Sequence, residues 1–104
     1  MTQSKFFLRD GALIGFELSG HTGKNIVCAA VSSAAYMTVN TLTDVVGVKP
    51  DIDERDGYLR VVLPWKDAPR GRDLLEGFRL HLTELQKQYP HQIKVTVIEA
   101  ITEV

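Results

Sequence analysis

The stretch NIVCAAVSSAAYMTVNTLTDVVG, Asn25 through Gly47, decides the fold class. Val27, Val31, Ala34, Ala35, Thr38, Leu42 and Val45 recur at three- and four-residue intervals, which puts them on one face of a helix over Ile26 to Val46. Asn25 is a natural N-cap, because its side-chain oxygen can accept a first-turn N–H, and Gly47 is a natural stop. The small residues Ala29, Ala30, Ser32, Ser33, Ala34 and Ala35 would let this helix approach a sheet or another helix closely. With Asn25 as cap, Cys28 falls in the first turn.

On both sides of this helix the apolar period drops to two. Upstream, Lys5 to Leu8 and Ala12 to Leu18 are strand-like runs joined through Arg9-Asp10-Gly11, where Asp-Gly supplies the backbone freedom of a tight reversal. In the second run Phe16 and Leu18 alternate with Glu17, while Leu13 and Ile14 make both faces apolar. Its exit, Ser19-Gly20-His21-Thr22-Gly23, is polar and flexible in composition.

Downstream, Lys49 to Arg55 and Tyr58 to Leu63 flank Asp56-Gly57, with Leu59, Val61 and Leu63 alternating against Tyr58, Arg60 and Val62 until Pro64. Trp65 to Gly71 reads as a turn-rich connection, after which Leu74, Leu75, Phe78, Leu82 and Leu85 restore helical spacing up to Pro90. Ile93, Val95 and Val97, interleaved with Lys94, Thr96 and Ile98, give a last β-branched strand. The order ββαββαβ predicts one α/β domain over residues 1–104, a two-layer mixed sheet with two covering helices. The second sheet face is then left to solvent or to association.

Composition removes several function classes. A single cysteine can form neither an internal disulfide nor an all-thiolate metal site, and His81 and His91 follow no zinc-ligand spacing, so no metal is expected. The glycines fit no phosphate or dinucleotide loop, and no cofactor is expected. Twelve Lys and Arg against thirteen Asp and Glu give no strong field for wrapping nucleic acid. The opening MTQSKFFLRDGALIG lacks a secretory pattern, and no window is read as reaching the roughly 20 apolar residues of a membrane span. A cytoplasmic protein with no membrane partner is the expectation.

Two charged runs have ordinary explanations. Asp51, Asp53, Glu54 and Asp56 suit the solvation of an exposed strand edge. Trp65, Lys66, Arg70 and Arg72 form a basic, aromatic-bearing connection that suits a solvated loop, or contact with RNA phosphates or an acidic peptide.

The segment from Gly20 to Ala30 carries the chemistry. The positive end of a helix favours an anion, so a first-turn cysteine should hold more thiolate at neutral pH than a free thiol of pKa about 8.5. An imidazole about 3 Å from the sulfur would reinforce this and could protonate a departing amine. His21 is near enough in sequence to supply it. The competing reading makes Cys28 a small buried hydrophobe and His21 a loop residue. Ser32 and Ser33 read as packing residues, and Ser32 can bond back to the Cys28 carbonyl four residues earlier.

Gly20-His21 together with Ile26-Val27-Cys28-Ala29-Ala30-Val31-Ser32 resembles the ribosomal-processing cysteine protease family, Prp, over nearly the whole chain. The resemblance implies a cysteine endopeptidase that removes an N-terminal extension from a large-subunit ribosomal protein, with His21 and Cys28 as the catalytic pair. It also implies a homodimer, association with the ribosome, and substrates with a hydrophobic, aromatic-containing segment ahead of the cut. The groove for that segment would lie near His21 and the helix start, with Gly20, Thr22 and Ser32 as substrate-binding candidates. Only Thr22 through Val27 separate His21 from Cys28, where the family usually carries a longer, glycine-containing loop. Gly20 and Gly23 would then supply the reversal. The alternatives are a noncatalytic ribosome-associated protein, an RNA-binding module and a structural dimer.

Overall fold

A computed structural model describes residues 1–20 and 25–99. Strands β1 (Thr2–Arg9) and β2 (Ala12–Ser19) form the opening hairpin. Its two loop residues, Asp10 and Gly11, have φ of 49° and 79°, the left-handed pair that matches strand twist in a two-residue turn. The register slips inside the hairpin: Phe7 faces Gly15 and Leu8 faces Leu13, so Ile14 is an extra residue in β2. This bulge explains the doubly apolar run. Leu13 joins Phe6 and Phe16 under the helices, while Ile14 joins Phe7, Val62 and Ala68 in a second cluster.

Helix α1 (Ile26–Asn40) buries Val27, Cys28, Val31, Ala35 and Thr38, as its spacing predicts. Regular α-helix stops before Val46. Residues Thr41–Val46 form a wider π-helical turn, in which the N–H groups of Gly47 and Val48 both donate to the Leu42 carbonyl at 3.0 Å. Thr38, Thr41 and Thr43 hydroxyls bond back to the carbonyls of Ala34, Met37 and Val39 through this region. The wider turn rotates the stripe: Leu42 stays fully buried, but Val45 is 78% exposed and Val46 packs on the core in its place. The helical segment Ile26–Val46 is also long and apolar enough, by length and composition, to cross a membrane, which corrects the expectation that no window reaches that mark. Its Ala- and Val-rich sequence raises the hydropathy, and its apolar stripe is spent against the sheet.

Strands β3 (Asp51–Arg55) and β4 (Tyr58–Val62) turn at Asp56-Gly57, with Gly57 at φ 73°. β3 starts two residues later than expected, after Pro50, which has no N–H to donate. A short 3-10 turn over Trp65–Asp67 leads into α2 (Ala68–Gln88), which begins inside the expected connection. Pro69 is tolerated there because first-turn N–H groups have no intrahelical acceptor. Gly71 lets α2 close on the core, since a Cβ there would lie 2.5 Å from Leu63 Cδ1.

The last strand, β5 (Ile93–Glu99), runs parallel to β1, giving the sheet order β3-β4-β2-β1-β5. β3 is therefore an open edge, and all five of its residues are exposed. β4 can lie tightly against β2 because residue 15 is glycine: a Cβ would come within 2.2 Å of the Val61 carbonyl oxygen. The core fills the space between the sheet and both helices. Phe6, Phe16 and Phe78 form its aromatic centre, the Phe16 and Phe78 rings meeting edge-on at 4.8 Å.

Candidate active site

The chain leaves β2 through Gly20, whose φ of 68° and whose 2.5 Å approach to the Met1 carbonyl oxygen, measured from an added Cβ, exclude other residues. It re-enters regular structure at Asn25, an extended residue with φ −139° and ψ 175°. The Asn25 side-chain oxygen accepts the Cys28 N–H at 2.9 Å, and its carbonyl accepts the Ala29 N–H at 3.1 Å. Asn25 is thus the expected cap, and it consumes the backbone donor of the cysteine itself. Cys28 lies in the first turn on the buried stripe and is 3% exposed.

His21 and Thr22 lie outside the described residues, and the separation of His21 from Cys28 lies there with them. Gly20, Cys28 and Ser32 are described. Ser32 sits one turn beyond Cys28, half-buried, and lines a cavity of about 320 Å³ between α1 and the β3–β4 hairpin. Leu18, Ala35 and Leu59 supply its apolar wall, Tyr36 and Tyr58 its aromatic one, and Glu54, Arg55 and Asp56 its rim. Sequence reasoning missed this cavity. It treated the acidic run only as a solvated edge, and nothing in the local pattern says that the hairpin tip stands beside α1.

Tyr58 ties the hairpin to the sheet. Its hydroxyl donates to Glu17 Oε2 at 3.0 Å, and Lys5 and Arg60 each approach the same carboxylate to 4.0 Å. Burial, then the bond to the Glu17 carboxylate, holds the phenol above its ordinary 10.0. A second, more apolar groove of about 610 Å³ runs between α1 and α2, past Ala34, Met37, Gly77 and His81. Among the described residues no three His, Cys, Asp or Glu side chains stand close enough to hold a metal ion.

The family model for "Cysteine protease Prp" matches residues 1–94. The chain belongs to the Prp family. It is therefore a cysteine protease, a hydrolase of peptide bonds. It is 30% identical over 98 residues to the ribosomal processing cysteine protease Prp of Bacillus subtilis, covering 84% of this chain and 88% of that one. It is similar to SMU.848 from Streptococcus mutans at 32% identity, with a TM-score of 0.81 and 96% of each chain covered. The fold is also that of the Staphylococcus aureus Prp protease, solved with a covalently linked product peptide. That match has a TM-score of 0.85 at 20% identity, and covers 94% of this chain and 100% of that one. The Prp fold of this chain thus puts its lone cysteine in the first turn of the helix that packs on the sheet.

Proposed function

We propose that this Prp protein is the endopeptidase that removes the N-terminal extension of a large-subunit ribosomal protein precursor, with Cys28 as nucleophile and His21 as its proton partner. The observation that carries the residue assignment is Cys28 in the first turn of a capped helix, seven positions after His21, in a chain of the Prp family. The thiolate attacks the scissile carbonyl, and the imidazolium protonates the departing amine to leave a thioester. Water, activated by the same imidazole, then releases the new carboxylate. Backbone N–H groups near Cys28 are the candidates for stabilising the oxyanion, the Cys28 N–H itself being held by the Asn25 side chain. Gly20, Thr22 and Ser32 are assigned to binding the peptide in this reading. Homodimerisation, ribosome association and a cytoplasmic location belong to the same proposal, and the ribosomal substrate supports the last two.

The RNA-binding alternative is weakened by how the basic residues are used. Arg9 lies over the Trp65 ring at 4.5 Å, and Arg70 donates to the Val46 carbonyl at 2.6 Å. The deciding experiment incubates a ribosomal-protein precursor with wild type, Cys28→Ser and His21→Ala, and follows the N-terminus by mass spectrometry. Loss of cleavage in both variants, with unchanged circular dichroism, is expected. Retained cleavage by either variant overturns its assigned role.

A further inference from the structure

We infer that the cavity between α1 and the β3–β4 hairpin is a specificity subsite for a lysine or arginine side chain of the substrate peptide, whose charge is read by Glu54 and Asp56. This rests on the protease reading and adds to it the chemistry of a substrate residue.

Position comes first. The cavity is walled by Ser32, Ala35 and Tyr36, on the helix whose first turn carries Cys28. Its other side is the hairpin whose outer strand, β3, is the open edge of the sheet, so an extended peptide has room to pass alongside. A volume of about 320 Å³ accommodates one long side chain rather than a whole ligand.

The lining then selects the side chain. Leu18, Ala35 and Leu59 offer apolar surface to an aliphatic stem, and the Tyr36 ring offers a face to a cation, the Tyr58 ring being covered by Arg55. Three charged groups stand at the rim, and their partners differ. Arg55 is committed: it reaches Asp53 at 3.3 Å and stacks over the Tyr58 ring at 4.3 Å. Among the described residues Glu54 and Asp56 carry no ion pair, so two carboxylates are left to face an occupant. An aromatic or aliphatic side chain would leave these exposed rim carboxylates without a partner, and an acidic one would be repelled by them. A lysine or arginine satisfies both the stem and the head.

The test uses a short fluorogenic peptide with an aromatic residue ahead of the scissile bond, and a single lysine moved stepwise along it against norleucine at each position. Wild type should prefer lysine at one position by about fivefold in kcat/KM, the worth of one or two partly solvated ion pairs. The double variant Glu54→Gln, Asp56→Asn should bring that ratio to about one, and raising the salt should shrink it in wild type. Reversal to Glu54→Lys should favour glutamate at the same position. A lysine preference that survives in the double variant, or no preference anywhere, overturns the inference. Binding of the same peptides to Cys28→Ser protein, followed by anisotropy, reads the subsite independently of cleavage. Selective binding of the lysine peptide by this variant, with no turnover of any peptide by wild type, would refute the protease assignment and leave the subsite standing, whereas turnover by wild type without selectivity would do the reverse.

Discussion

Replacing Asn25 tests whether the helix cap both stabilises the fold and tunes the candidate nucleophile. In Asn25→Ala the bond from the Cys28 N–H, 2.9 Å long and part-buried, has no acceptor. Loss of an N-cap costs about 1 kcal/mol, within a range of roughly 0.5–2. For a domain of this size that lowers Tm by about 4–8 °C. With a urea slope near the bottom of the usual range, ~1–1.5 kcal/mol/M, the denaturation midpoint falls by about 0.7–1 M with the slope unchanged. Asn25→Asp retains an acceptor and adds a charge that the helix N-terminus favours, so its stability should equal or exceed that of wild type. Its activity should fall, because a fixed carboxylate beside the Cys28 N–H opposes negative charge developing at the same helix end. Urea melts and peptide cleavage on the three proteins separate these effects. The reasoning fails if Asn25→Ala lies within about 0.3 kcal/mol of wild type. It fails equally if Asn25→Asp loses as much stability as the alanine variant.

Three further outcomes are expected. Gly20→Ala drives a Cβ to 2.5 Å from the Met1 carbonyl at a φ of 68°, so it should cost about 2 kcal/mol and lower cleavage, as read by thermal melts and initial rates. Tyr58→Phe removes the bond to Glu17 and should cost about 0.5–1 kcal/mol at neutral pH, discounted for its partial exposure. The folded protein holds the phenolic proton more tightly than the unfolded chain. That contribution is therefore complete below the unfolded value of 10.0 and fades as pH climbs through the raised folded value, which paired melts of the two proteins from pH 7 to 11 can follow. Phe78→Ala empties the centre of the aromatic cluster and should cost about 3–5 kcal/mol, a large share of a small domain's stability, with Phe78→Leu losing much less by circular dichroism melts.

The legible parts of this fold are those written in short-range periodicity. The α1 stripe, the Asn25 cap, both glycine-bearing hairpin turns and the alternation of β4 and β5 each depend on residues a few positions apart. The extra residue at Ile14 and the π-helical turn after Asn40 were not legible, because each is a local shift of register settled by which side chains find room in the core. The start of α2 was hidden for a related reason. Ala68, Pro69 and Gly71 look like turn residues until Gly71 is seen to be the point of contact with Leu42 and Leu63.

The candidate site divides in the same way. By itself the sequence determined the element order, the resemblance to the Prp family, and a cysteine in the first turn of a helix seven positions after a histidine, since caps, periods and motifs are properties of neighbouring residues. Tertiary structure alone decided that Cys28 is buried on the sheet-facing stripe and that the tip of the β3–β4 hairpin stands beside α1. Those outcomes depend on the sheet order β3-β4-β2-β1-β5 and on the close approach allowed by Gly15. Contacts between residues far apart in the chain follow from how whole elements pack, and no local pattern encodes them.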